Sequence, residues 1–415
     1  INLSESSLEL EEVEVRAELS TVTQKIDRKV INVGKDLTAT GTTASELLNN
    51  VQSVSVDSQS GEISLRGNES VRILINGKPS ALSGLNPETL QQLPAEAIEK
   101  VEVITNPSAR YDAEGTAGIL NIVLKQSKTA GLNGSLNLFA GQPDNFGGAL
   151  SLNLRREKFN IFTNTTYRYR DAPGNALFEQ ENFNPDGSTA SFQDEIRNYQ
   201  RQSDGFNTNI GFEYFFDDSS SITNSLVIRN RSGESETDID FSNFDAARNP
   251  TIQRNRFTNQ IGDDETVQYA VNFIKRFKRD GHELTLDYQY SKGEETENSI
   301  INEVVLGENV MLPTEQTIND ETQENQLVQM DYVLPFGKES QSQFEFGYRG
   351  TFNNFNTDFD FGILEDGILD VDPDFSNELN YKEYVNAAYA QLGTKYKKFN
   401  ILGGIRMEAS DIGIE

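Results

Sequence analysis

The 415-residue sequence predicts a mainly β protein: an antiparallel β-barrel that spans a membrane, preceded by a small α+β unit. Three features support this fold class. From Gly131 onward apolar and polar residues alternate, which places them on opposite faces of strands. Many alternating segments have about ten residues, the length with which a tilted strand crosses a bilayer. Their connections are alternately short and long, as in outer-membrane barrels.

The alternation recurs in about eleven segments. In "GSLNLFAG", Leu136 and Leu138 fall on one face, and Ser135 and Asn137 on the other. A water-soluble β-sandwich or propeller also has alternating strands. Its loops rarely exceed about 15 residues, however, and here large charged residues occupy the polar face. Further apolar rows contain Leu150, Leu152, Leu154, Ile161, Tyr167, Ile210, Phe212, Tyr214, Leu286, Tyr288, Phe344, Phe346, Tyr348, Ile401, Ile405 and Met407.

The connections divide into two kinds. Tight turns are predicted at "RREKF", "FDDSSS", "KRDGH", "FGKES" and "KYKKF". Long polar loops are predicted near residues 171–204, 231–263, 292–322 and 356–381. Short turns at one end and long loops at the other are typical of a barrel in an outer membrane.

Composition narrows the function classes. The formal charge of -29 disfavours a nucleic-acid partner, because such binding depends on Lys and Arg. No cysteine is present, which excludes thiolate metal sites. The sequence has no run of about 18 apolar residues, so no transmembrane helix is predicted. The single histidine, His282, is interpreted as a solvated turn residue. No nucleophile–base set or metal-ligand cluster is evident, so neither an enzyme nor a cofactor is predicted.

Residues 41–127 predict the small α+β unit. "TTASELLNNV" predicts a short helix with a Thr or Ser cap and Glu46 in its first turn. Short strands follow in "SVSV", "ISLRG", "VRILING" and "EKVEVIT". A tight turn is predicted at Arg66-Gly67, and a type I′ hairpin at Asn76-Gly77, because these residues accept positive φ.

The run "ISLRGNESVRILINGKP", followed by "IEKVEVITNPSARYDAEGTAGILNIVLK", resembles the plug of TonB-dependent outer-membrane receptors. The resemblance is carried by Arg66-Gly67, by Asn76-Gly77, by Glu102 with Asn106-Pro107, and by Gly115 and Gly118. The form "NPSARYDAEG" is similar to a branch associated with Bacteroidetes-type bacteria. The resemblance implies import of an extracellular ligand across the outer membrane, driven by the inner-membrane proton gradient through TonB.

The resemblance also implies a domain order. Residues 1–40 are expected to be a periplasmic segment, 41–127 the plug, and 128–415 the N-terminal part of the barrel. About eleven strands are half of the 22 expected for this family, so further strands are expected beyond Glu415. A wall of that size would leave a wide aqueous pore without the plug.

Several site residues follow from the resemblance. Glu102 is expected to meet lumen-facing arginines of the barrel wall; the alternative is a solvated strand residue. Gly115 and Gly118 are expected to let the chain bend from the plug into the first barrel strand. The candidate wall partners of Glu102 are Arg155, Arg168 and Arg349.

The N-terminal stretch "LELEEVEVRAE" is the candidate TonB contact, made by strand addition. It departs from the common form of the family's TonB box, and the alternative is a structural strand. The candidate contact residues are Leu10, Glu11, Glu12, Val13, Glu14 and Val15.

The expected partners are TonB, an unidentified extracellular ligand, outer-membrane lipid and a surface lipoprotein. The acidic stretch "DVDPD" resembles part of a calcium loop but lacks the spaced Gly and distal Glu, so a solubilising loop is favoured over loop-bound calcium. Two other function classes stay open: a non-transporting scaffold of an outer-membrane assembly, and a secreted soluble adhesin.

Overall fold

The computed structural model contains a small mixed sheet followed by a large antiparallel sheet. It describes residues 22–24, 28–33, 43–51, 53–56, 63–67, 71–75, 95, 98–104, 118–124, 131–279, 281–307, 310–337, 342–396 and 399–415.

The small unit is built around a five-stranded sheet in the order β1-β2-β6-β7-β5. All its pairings are antiparallel except that of β5 with β7. Two further strands, β3 and β4, pair with each other. The bounds are Val22–Gln24 (β1), Lys29–Asn32 (β2), Val54–Val56 (β3), Ile63–Leu65 (β4), Val71–Ile75 (β5), Ile98–Ile104 (β6) and Gly118–Leu124 (β7).

Helix α1 spans Ala44–Asn49, as the sequence predicted. Thr43 is its N-cap: the backbone N–H of Glu46 donates to the Thr43 hydroxyl, and the Thr43 N–H donates to the Glu46 carboxylate. This reciprocal pair forms a capping box. Leu48 points from α1 into a hydrophobic core that includes Val101 of β6 and Leu120 of β7.

The predicted boundary at residue 41 lies too late for this sheet. β2 pairs with β6 between Lys29 and Val103 and between Asn32 and Lys100, and β1 pairs with β2. Strands from the segment assigned to 1–40 therefore belong to the sheet. Their alternation was too short to be recognised in the sequence.

The second sheet contains eleven strands on one continuous path among the described residues, which agrees with the predicted number. Three short strands, β11, β16 and β19, pair beside it. The bounds are Gly131–Gly141 (β8), Asn145–Arg155 (β9), Phe159–Asp171 (β10), Gly174–Phe183 (β11), Thr189–Asp217 (β12), Ser220–Asp245 (β13), Pro250–Arg276 (β14), Glu283–Leu306 (β15), Val310–Met311 (β16), Glu315–Phe336 (β17), Ser342–Glu365 (β18), Ile368–Val371 (β19), Asn377–Tyr396 (β20) and Phe399–Ile414 (β21).

The large sheet is apolar on its exposed face. Leu286 is 39% exposed and Met407 is 76% exposed, whereas Asp287 on the opposite face is 5% exposed. In a β-sandwich the Leu, Phe and Tyr rows would be the buried ones, so the sandwich alternative is wrong. The arrangement is that of a membrane barrel wall, with its apolar face toward lipid.

The small unit packs against the polar face of this wall. Val227 of β13 is 4% exposed and belongs to the same hydrophobic core as Val101 and Leu120. The carboxylate of Glu46 interacts electrostatically with Arg168 of β10. We call the face that carries Val227 and Arg168 the inner face and the opposite one the outer face.

The long connections are mostly strand, not loop. β12 has 29 residues, β13 has 26 and β14 has 27, whereas about ten residues suffice to cross a bilayer. The predicted loops at 231–263 and 292–322 are therefore largely extensions of the barrel strands. The sequence did not reveal this because polar residues predominate on both faces of the extensions, which weakens the alternation signal.

Two of the five predicted tight turns, at "RREKF" and "FDDSSS", are confirmed, and the other three include residues outside the described ranges. β9 ends at Arg155 and β10 begins at Phe159, and β12 ends at Asp217 and β13 begins at Ser220. His282 lies in the predicted turn but is half-buried and not merely solvated. Its ring stacks on Phe277 with 4.2 Å between centroids, and its Nε2 lies 2.7 Å from the Tyr332 hydroxyl. No helix in the described ranges is long and apolar enough to cross a membrane.

Candidate functional site

Glu102, in β6, is a buried charged residue of the small unit with three side-chain partners. Its side chain points away from Val101 and Val103, as predicted, but the residue is only 5% exposed. The alternative of a solvated strand residue is therefore wrong. A buried carboxylate is stable only when hydrogen bonds and opposite charges compensate for lost water.

Three side chains supply this compensation. Arg28 Nη1 donates to Glu102 Oε2 at 2.8 Å, and Lys100 Nζ donates to Oε1 at 2.7 Å. Asn121 Nδ2, on the neighbouring strand β7, donates to Oε2 at 3.1 Å. Arg28 immediately precedes β2, so this group, which we call the Glu102 clasp, ties the N-terminal strand to the centre of the sheet.

The clasp keeps Glu102 ionised. Burial raises the pKa of the carboxylate, but hydrogen bonds from Lys100, Arg28 and Asn121, together with the charge of Arg28, outweigh burial and lower the pKa from 4.5 to about 2. Glu102 therefore carries its negative charge at every physiological pH, and separating it from Arg28 would leave a poorly solvated charge.

The predicted pairing of Glu102 with the barrel wall is corrected by these contacts. All three partners come from residues 28–121, and Arg155, Arg168 and Arg349 are not among them. The physical reason is local: β2 lies beside β6 and brings Arg28 within hydrogen-bond distance, a pairing the sequence did not reveal.

The three arginines do face inward, as predicted. Arg155 lies over the ring of Phe215, 4.3 Å from its centroid. Arg168 Nε donates to Asn145 Oδ1 at 3.1 Å, and Arg168 is also the residue that interacts with Glu46. Arg349 is 4% exposed, and its Nη1 donates to Gln329 Oε1 at 3.4 Å. The carboxylate of the small unit whose charge acts on Arg168 is therefore Glu46, not Glu102.

Two family models match this chain. One, described as the TonB-dependent receptor plug domain, matches residues 19–119. The other, described as an outer membrane protein β-barrel family, matches residues 275–415. The chain belongs to the TonB-dependent receptors. Its small unit is the plug, its large sheet is part of the barrel, and it resides in the outer membrane as a receptor or transporter.

Several solved structures are similar. The ferric yersiniabactin uptake receptor FyuA from Yersinia pestis is 12% identical, with a TM-score of 0.42, covering 93% of this chain and 72% of that one. The ferric citrate transporter FecA is 12% identical, with a TM-score of 0.38, covering 88% and 62%. The ferric-catecholate import receptor Fiu from E. coli K12 is 12% identical, with a TM-score of 0.44, covering 94% and 74%.

Among proteins with curated descriptions, none matches this sequence significantly. The Bacteroidetes-type branch stays a prediction.

The structure describes only some of the motif residues of the receptor plug. Arg66 and Gly67 form the predicted tight turn, with φ of 56° and 79°. Gly118, with φ of 152°, begins β7 inside the plug sheet. It therefore does not lie at the junction with the barrel, which comes after Leu124. Outside the described residues lie Leu10, Glu11, Glu12, Val13, Glu14, Val15, Asn76, Gly77, Asn106, Pro107 and Gly115.

The inner face of the strand extensions carries a belt of carboxylates, in segments that the sequence predicted to be loops, and we call the space that this face borders the vestibule. In the register, Asp264 of β14 pairs with Glu295 of β15, and Glu295 pairs with Glu321 of β17. Glu297 follows on the same face. Neighbouring strands are about 4.8 Å apart, so the charges are crowded.

The crowding affects Glu295, which lies beyond the lipid-facing part of β15. Burial raises the pKa of its carboxyl, and the charges of Asp264, Glu321 and Glu297 raise it further, while Arg229 acts in the opposite direction. Arg229 also forms an ion pair with Asp264. Elsewhere on this face arginines pair with carboxylates, as Arg254 does with Glu303, so the crowding of negative charge is local to Glu295.

The described residues contain no group of three or more His, Cys, Asp or Glu side chains arranged to hold a metal ion. In the "DVDPD" segment, Asp372 Oδ1 accepts the backbone N–H of Asp374 at 2.9 Å and so closes a turn. Loop-bound calcium stays an untested alternative.

Proposed function

We propose that this receptor binds an extracellular ligand in the vestibule above the plug and imports it when TonB pulls on the N-terminal segment. The proton gradient of the inner membrane supplies the energy. The alternative is a plugged barrel that acts as a scaffold in an outer-membrane assembly, without transport.

The observation that carries this proposal is the Glu102 clasp. The segment upstream of β1 contains the candidate TonB contact at residues 10–15, and β2 joins that segment to the central strand of the plug. Force applied upstream therefore reaches the Arg28–Glu102 ion pair before it reaches β6 and β7. Because Glu102 is buried and charged, opening this contact destabilises the plug interior.

The vestibule supports the first step of the proposed transport. Long strand extensions hold the inner face well above the membrane, and rigid strands position ligand-binding side chains better than mobile loops. The crowded carboxylates around Glu295 favour a ligand that presents positive charge or hydrogen-bond donors at that point of the wall.

The experiment separates transport from scaffolding. Strand addition depends on backbone N–H groups, so Val13→Pro removes a donor and Val13→Ala keeps it. We expect the periplasmic domain of TonB to bind purified receptor carrying Val13→Ala but not Val13→Pro. A deletion of residues 8–16 removes the candidate contact completely and is the reference for its loss.

The same variants are compared in cells with a strain lacking the receptor. Compounds that wild-type cells remove from a defined medium are identified by mass spectrometry. We expect Val13→Pro to insert normally in the outer membrane and to remove no more than the receptor-free strain. Uptake unaffected by Val13→Pro and by the deletion would contradict the proposal, and a phenotype without any change in uptake would favour the scaffold.

A further inference from the structure

The outer face of the strand extensions carries an apolar patch in a region that lies above the membrane. It is formed by Phe257 and Ile261 of β14, Ile300 of β15 and Ile318 of β17; we call these four residues the outer patch. Phe257 is 37% exposed and Ile261 is 51% exposed, while Ile300 and Ile318 are half-buried.

The strand register brings these residues together. Ile261 pairs with Asn298, which in turn pairs with Ile318. Ile300 is two residues beyond Asn298 on the same face, and Phe257 pairs with Asn302. Diagonal neighbours of this kind lie about 7–8 Å apart, so the four side chains share one surface, on which they alternate with Asn259 and Asn298.

The patch is too far from the bilayer to be covered by lipid. The last lipid-facing residue of β14 is Val267, followed toward the tip by Glu265 and Asp263 on the same face. Ile261 is six residues from Val267, about 20 Å along the strand. Charged residues on the outer face thus separate the outer patch from the hydrocarbon.

Carboxylates lie beside the patch and below it. Glu234 pairs with Ile261 on one side, and Asp360 pairs with Ile318 on the other. Below it, Asp263 and the directly paired Asp320 and Asp358 face outward. On this face, between the patch and the membrane, the described strands β13 to β18 carry one cation, Lys292, and it forms an ion pair with Glu294.

We propose that the outer patch is a docking surface for a basic protein partner, one that presents an apolar ridge flanked by Lys or Arg. Charge complementarity selects this occupant. A second copy of this chain would bring the same carboxylates against each other, and anionic lipid would be repelled in the same way. An exposed apolar group rimmed by charge is the usual form of a protein-binding site.

The test uses purified full-length receptor and two fluorescent peptide probes. Both alternate Ile or Val with a charged residue, Lys in one and Glu in the other. We expect saturable binding of the Lys peptide only, with a dissociation constant that rises at least tenfold between 50 and 500 mM salt. The double variant Ile261→Asn, Ile318→Asn should weaken binding at least tenfold.

The matched control is Ile252→Asn. Ile252 lies on the same strand, is 50% exposed and faces inward. We expect this variant to bind the Lys peptide as the wild type does. Ile261 and Ile252 are exposed and Ile318 is half-buried, so the folding of every variant is checked by the heat-dependent gel shift of the intact barrel.

Three outcomes overturn the proposal. The first is equal binding of the Lys peptide to wild type and to the double variant, which shows attraction by net charge alone. The second is comparable binding of the Glu peptide. The third is self-association of the receptor in sedimentation velocity that the double variant abolishes, which identifies a second copy as the occupant.

Discussion

Replacing Glu102 by Gln tests the clasp directly. The shape of the side chain is kept, and Asn121 can still form a hydrogen bond, but the charge that holds Arg28 and Lys100 is lost. A fall of the pKa from 4.5 to about 2 corresponds to about 3 kcal/mol of stabilisation at neutral pH, at about 1.4 kcal/mol per pKa unit. We expect the plug to lose an amount of this order, concentrated at β2.

Hydrogen exchange measures the loss strand by strand. A fall of about 3 kcal/mol in opening free energy speeds exchange about 100-fold for amides that exchange through that opening. We expect this for Lys29–Asn32 in Glu102→Gln, while barrel strands are unchanged. Glu99→Gln is the matched control, because Glu99 is an exposed carboxylate on the same strand.

The pH dependence follows from the same shift. The folded pKa of Glu102 is lowered, so its contribution is fully present above about pH 4.5 and is lost as the pH falls toward 2. Protection of β2 in the wild type should fall to that of Glu102→Gln across this interval. Equal protection of the two proteins at pH 7, or no coupling between Arg28→Gln and Glu102→Gln in a double-mutant cycle, would refute the reasoning.

Three further changes test the helix cap, the plug–wall contact and the lipid-facing side. Thr43→Ala removes the cap and should cost α1 about 1 kcal/mol, seen as faster amide exchange in α1. Val227→Ala should weaken plug docking by about 2 kcal/mol, seen as faster proteolysis of the plug. Leu286→Arg should cost the barrel about 2–4 kcal/mol, measured by unfolding from lipid vesicles.

Each of these three variants has a control variant close to it in the sequence. Ser45→Ala should be harmless, because the Ser45 hydroxyl has no hydrogen-bond partner among the described residues. Ile228 faces lipid, so Ile228→Ala should leave plug proteolysis unchanged. Thr285 lies on the inner face beside Leu286, so Thr285→Arg is the control for Leu286→Arg. If a control matches its test variant, the assigned contact or face is wrong.

The sequence was most informative where one face of a strand meets lipid. Leu136 and Leu138 were placed correctly because lipid requires an apolar side chain at every second position, which fixes both the period and the register. The capping box at Thr43 was predictable for a similar reason, since its partners are three residues apart.

The contacts of Glu102 could not be predicted from a local sequence pattern. Val101 and Val103 show that residue 102 points the other way, but not which strand lies opposite. Arg28 is 74 residues away in the chain, and its partner is selected by the pairing of β2 with β6. A local pattern carries no information about that pairing.

Above the membrane, the alternation of side chains no longer separates a lipid-facing side from a water-facing side. There both faces meet water, so an apolar residue such as Ile261 is no longer required by lipid and is disfavoured by exposure. Inner-face residues at that height, such as Glu295, border the vestibule, whereas outer-face residues border the cell surface. The same strands therefore present two chemically distinct surfaces, so ligand selection and partner binding should respond independently to substitutions one residue apart.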